Sequence, residues 1–163
     1  MRVQLRLVAL LSLLLPGVVW AHHGSGISYD VAHLWTTWAT VAEFNYKNPH
    51  PTMTWDRKLK DGTGEHWTTE LLTAPAPLVR AGWTRGRSEE ALKPGTRVKV
   101  YVGTARAGGT SGIVMRVENE KGEELLSGMG RPAPQAVDME GVPMGLQPTG
   151  NDKLPGASPS GDR

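Results

Sequence analysis

From 97 to 105 the chain reads RVKVYVGTA, with Val98, Val100 and Val102 alternating against Arg97, Lys99 and Tyr101. A period of two is that of a strand with one buried face. Residues 112–119, GIVMRVEN, form its partner across the loop RAGGTSG, and EKG turns the chain into a short last strand at 123–126. Upstream, 34–47 is rich in β-branched and aromatic residues and predicts a long first strand. Residues 52–59 and 65–72 predict two more, paired through a turn containing Asp61-Gly62, a strong hairpin signal. Between the third and fourth strands, Leu78, Val79 and Trp83 stand at roughly helical spacing and predict one short helix over 76–83. Ser88, followed by Glu89 and Glu90, reads as a helix N-cap with acids on the first turn, ended by Pro94-Gly95.

Three strands, a helical connection and two or three further strands make the element order of an oligonucleotide/oligosaccharide-binding (OB) barrel. The sequence therefore predicts an all-β fold with small α content, an OB-like barrel of five to six strands, over 22–127; a plain β-sandwich is the alternative. From 128 to 163 Gly or Pro recurs every few residues without apolar periodicity, and this tail is expected to be disordered.

The first residues change the picture of where the domain works. Arg2 and Arg6 precede an apolar run at 7–15 that is too short to span a bilayer, which takes about 20 residues. Pro16-Gly17 ends that run and Val19-Trp20-Ala21 puts small residues at the two positions a signal peptidase reads, so 1–21 is expected to be a signal peptide cut after Ala21. The mature protein is then periplasmic or secreted, begins at His22, and has no membrane segment once cleaved; an uncleaved membrane anchor is the alternative. The 18 Lys+Arg and 16 Asp+Glu of the full chain become 16 and 16 when Arg2 and Arg6 leave, so there is no basic stripe for nucleic acid. The chain has no cysteine, which excludes disulfides, thiolate metal sites and a cysteine nucleophile.

Laid out this way, AHHG at the mature start, Tyr29-Asp30, Asn48-Pro49-His50, GWTR at 82–85 and LKPGTRVKVYVGTAR at 92–106 fall in a recognisable order. Over residues 21–117 the chain resembles a family of small exported bacterial proteins of unknown function, whose mature chains begin with paired histidines and carry Asn-Pro-His after the first strand. It departs from that pattern at GSGIS, which replaces a more apolar stretch after the histidines, and at RAGG, which replaces a more acidic glycine turn. The resemblance implies location and fold, and no activity.

The candidate chemistry lies in the histidines. An N-terminal His22 offers its α-amine, with a model-peptide pKa near 8, and its ring Nδ1, which together chelate one metal ion. A third imidazole completes a tetragonal nitrogen set suited to Cu(II), as in histidine-brace copper proteins. His50, stiffened between Pro49 and Pro51, is the first candidate for that ligand. His23 can serve instead or beside it, and His66 can join if it points outward; a set of three imidazoles without the amine suits Zn(II) instead. The bland readings are an exposed terminus for His22 and His23, a turn residue for His50 and a partly buried strand residue for His66.

Three readings of function stay open. The first is a non-catalytic metal-binding barrel, copper before zinc, acting in sequestration or handover with His22, His23 and His50 as ligands. The second is a periplasmic binding module that takes a small molecule, glycan or partner protein on a face bearing Trp38, Trp55 and Trp67, with the histidines incidental. The third, a redox-active copper site working on a substrate, has no obvious substrate platform beyond those tryptophans. No catalytic residues are assigned: Glu89 and Glu90 are explained by the helix dipole, and RAGGTSG lacks the Lys-Ser/Thr of a phosphate loop. Met129, Met139 and Met144 are soft donors for Cu(I), but they stand in the Gly/Pro tail, where coincidence explains them.

Overall fold

A computed structural model describes residues 25–126 and 133–144. A short helix α1 (Ser25–Ser28) leads into strands β1 (Trp35–Asn45), β2 (Thr52–Lys58) and β3 (Gly64–Leu71). Helices α2 (Pro75–Arg80) and α3 (Arg85–Ala91) follow, then β4 (Arg97–Thr104), β5 (Ser111–Glu118), and the short β6 (Glu124–Leu125) and β7 (Val137–Asp138). Five strands close on themselves in the order β1-β2-β3-β5-β4-β1, with β3 and β5 parallel and every other barrel pair antiparallel. This is the OB-like barrel, not the sandwich.

Closure depends on β1 serving two neighbours. Its first half pairs with β4 from Trp35↔Val102 to Thr40↔Arg97, and its second half pairs with β2 from Thr40↔Asp56 to Asn45↔Thr52. A register shift between Val41 and Glu43 bends the strand at the crossover, as a bulge does. The hairpin between β2 and β3 turns at Gly62, whose positive φ of 85° suits glycine, while the Asp61 carboxylate accepts from the Thr63 amide at 2.9 Å.

The core justifies the period-two reading of β4, since Val98, Val100 and Val102 are all fully buried. At its centre Trp55 and Trp67, directly opposed in register, stack with ring centroids 5.3 Å apart, and Trp35 meets Trp67 edge-on at 5.0 Å. Each indole N–H has an acceptor: Thr104 Oγ1 for Trp35, Thr69 Oγ1 for Trp55 and Glu65 Oε2 for Trp67. Burial therefore leaves no donor unpaired. This corrects the expectation of an exposed face bearing Trp38, Trp55 and Trp67: Trp55 and Trp67 are interior, and Trp38 alone of the three lies at the surface, half-buried.

The helical connection also differs in detail. It holds two helices, and the N-cap of α3 is Thr84, whose hydroxyl accepts from the Arg87 amide. Ser88 is inside α3, fully buried, donating to the Thr84 carbonyl at 2.8 Å. The Ser-Glu-Glu sequence imitates a cap one turn too late.

The second difference is in the C-terminal segment expected to lack order. Residues 133–144 form a strap in which β7 runs parallel to the start of β1, pairing Val137 with Trp35. Met139 is buried in the core, so packing accounts for it rather than a metal. The Glu140 carboxylate accepts from Thr37 Oγ1 at 2.7 Å and from the Trp38 amide at 2.8 Å. Beneath the strap, the buried Arg57 pairs with Glu65 at 2.7 Å and donates to the carbonyls of Met139 and Val142. These are long-range contacts, which is why no local periodicity announces them.

Candidate functional site

Residues around His50 are positioned by the loop from β1 to β2. The Asn48–Pro49 bond is cis, and the Leu71 amide donates to the Pro51 carbonyl at 2.8 Å, which pins the exit of the loop against the end of β3. His50 is half-buried there, and its Nδ1 is a buried nitrogen without a hydrogen-bond partner among the described residues. A buried polar atom of this kind costs about 1–3 kcal/mol unless something else satisfies it.

The N-terminal segment is laid onto the barrel at the end of β4. Ser28, Tyr29 and Asp30 run beside the end of β4: the Asp30 amide donates to Thr104 O at 2.8 Å, Arg106 N donates to Ser28 O at 2.9 Å, and Tyr29 bridges to Ala105. Gly103 makes room for this, because a Cβ at that position would stand 2.9 Å from the Asp30 carbonyl oxygen. The Tyr29 phenol reaches Glu70 on β3; burial first, then the charge and hydrogen bonding of Glu70, hold its pKa above the ordinary value. Glu70 in turn is the cross-strand partner of Thr52, two residues beyond His50. Tyr29 and Glu70 thus tie the entering chain to the His50 end of the sheet. Sequence reasoning gave Glu70 no role, because an outward carboxylate on a strand looks like any solvated face.

The other predicted residues separate. His22 and His23 lie outside the described residues. His66 does point outward, with its side chain 59% exposed and Nδ1 2.7 Å from Asp56 Oδ1. The β2–β3 register sets Asp56 opposite His66 and Thr52 opposite Glu70. Four residues of strand, about 13 Å, therefore divide His66 from the His50 end. His33 is exposed and bonds Asp30 at 2.9 Å; that hydrogen bond outweighs a small burial effect, and the charges of His33 and Arg106 add to it, so the Asp30 carboxyl is held below its usual range. Among the described residues no group of three or more His, Asp or Glu side chains is arranged to hold a metal ion.

Trp38 and His66 instead border a groove of about 620 Å³ on the outer face of β1, β2 and β3, together with Asp56, Lys58 and Arg97. No helix among the described residues is long and apolar enough to cross a membrane. Compared with known proteins, residues 10–116 match the model of a family described as a family of unknown function (DUF6152). No curated protein and no solved structure gives a significant match.

Proposed function

The chain belongs to that family of unknown function, and we propose that it is an exported metal-binding barrel, preferring Cu(II) over Zn(II), that sequesters or hands over the ion. The observation that carries this reading is the buried Nδ1 of His50, which has no hydrogen-bond partner among the described residues. With the ring proton on Nε2, an Nδ1 that has no hydrogen-bond partner offers its lone pair to a metal.

The proposed ligands are the α-amine and ring of His22, the ring of His50, and His23 beside them. Between His23 and Tyr29 there are five residues, four of which form α1. The proposal therefore requires that this short stretch of chain let His22 and His23 reach His50. Amine, Nδ1 and a second imidazole form the nitrogen set that Cu(II) favours, and the amine exists only after cleavage at Ala21. His66 takes no part, being about 13 Å along the strand.

The test compares the chain starting at His22 with one that retains a single residue before it. The extended chain should keep its fold and lose more than about tenfold in Cu(II) affinity, roughly 1.4 kcal/mol. Equal affinities would refute the amine as a ligand, and unchanged affinity in His50→Ala would refute the site.

A further inference from the structure

The register of the sheet places one row of side chains at a single level across four strands: Arg97 opposite Thr40, Thr40 opposite Asp56, and Asp56 opposite His66. With strands about 4.8 Å apart the row is roughly 14 Å long. Trp38 stands two residues from Thr40 on the same outer face, since side chains two apart share a face. These residues line the outer groove. We propose that this groove binds a short oligosaccharide, with Trp38 as the stacking platform and Asp56, His66 and Arg97 as the hydrogen-bonding groups. The proposal does not depend on the metal site.

The platform is held in place before any ligand arrives. The Trp38 amide is bonded to Glu140 at 2.8 Å, and the Arg97 guanidinium lies 4.8 Å from the centre of its ring. Of the hydrogen-bonding groups, His66 Nδ1 lies 2.7 Å from Asp56 Oδ1, which sets the two side chains beside each other. That contact leaves the second carboxylate oxygen of Asp56 and Nε2 of His66 for a ligand. Paired acceptors and donors beside a flat aromatic ring match the alternating hydroxyl and C–H surfaces of a sugar.

Other ligand classes fit less well. Trp38 is the one large apolar side chain lining the groove, too little for a hydrophobic molecule. Asp56 stands among Lys58, Arg97 and His66, so the groove has no single sign of charge to track a phosphate backbone. One aromatic ring also cannot stack successive bases, as single-strand binding requires.

Isothermal titration of the full mature chain with cellotetraose, chitotetraose and tetragalacturonate, each to about 10 mM, and with a thymidine decamer tests this. At least one sugar should bind saturably, and both Trp38→Ala and Asp56→Asn should weaken it about tenfold or more. Asp56→Asn alters an exposed side chain and should leave the urea midpoint unchanged, so it reads binding apart from folding. The proposal is overturned if none of the three sugars binds, if both variants bind as the parent does, or if the decamer binds more tightly than every sugar.

Discussion

Replacing Arg57 by Met keeps most of the aliphatic stem and removes a charge that is fully enclosed. The Arg57 side chain is 0% exposed; Nε and Nη2 donate to Glu65 Oε2 at 2.9 and 2.7 Å, Nη1 to Met139 O at 3.1 Å and Nη2 to Val142 O at 2.8 Å. Its guanidinium carbon also lies 4.8 Å from the centre of the Trp35 ring. Removing one partner of a buried ion pair costs about 3–5 kcal/mol. Glu65 is 15% exposed and keeps donors from Trp67 Nε1 and the Met144 amide, which places the expected loss near the lower end, at about 3 kcal/mol. For a domain of this size that is on the order of 12 °C in Tm. Urea unfolding followed by tryptophan fluorescence gives the magnitude, and amide exchange over 137–142 gives the location, because the strap loses two of its anchors. A loss under about 1 kcal/mol, or a large loss with strap protection unchanged, would refute the reasoning.

Three further outcomes follow from the same contacts. Ending the chain after residue 132 removes Met139 from the core and the Glu140 carboxylate from Thr37 and Trp38; about 3 kcal/mol or more should be lost in urea unfolding, and a stability equal to the full chain would contradict the strap. Burial raises the Glu65 carboxyl, but hydrogen bonds from Met144, Trp67 and Arg57 and the Arg57 charge outweigh it, so its folded pKa lies below the ordinary 4.5. That stabilisation is complete above 4.5 and disappears as pH falls through the lower folded value; urea midpoints should drop in that window for the parent and flatten in Glu65→Gln. Gly103→Ala puts a methyl 2.9 Å from the Asp30 carbonyl oxygen and should cost about 1–3 kcal/mol, with amide protection lost first at Asp30 and Arg106; unchanged protection there would show that the N-terminal segment is not packed as described.

The barrel strands are legible because each has a local signature. Val98, Val100 and Val102 alternate, Asp61-Gly62 marks its hairpin, and the aromatic first strand is long enough to serve two neighbours. What escapes local reading is held by distant contacts. The two-residue β7 lies among glycines and prolines and is ordered by Met139, Glu140 and the carbonyls that Arg57 bonds. Trp55 and Trp67 illustrate a different limit: alternation fixes which residues share a face, but only closure of the barrel decides that their face is the interior. Trp38 sits three residues from Trp35 on β1, and that odd spacing puts Trp35 in the core and Trp38 at the surface. Of the histidines that the sequence singles out, the pairing register separates His66 from the loop that holds His50. The Tyr29–Glu70 contact needed the fold, since 40 positions lie between the two residues.

Intact mass spectrometry under native conditions, on protein recovered from an exported preparation with and without added Cu(II), tests the proposed metal site most directly. The account predicts a mass beginning at His22 that retains one copper ion, with retention lost in His22→Ala and in His50→Ala while both variants stay folded. Cleavage at another bond, or copper retained equally in the two variants, would contradict it.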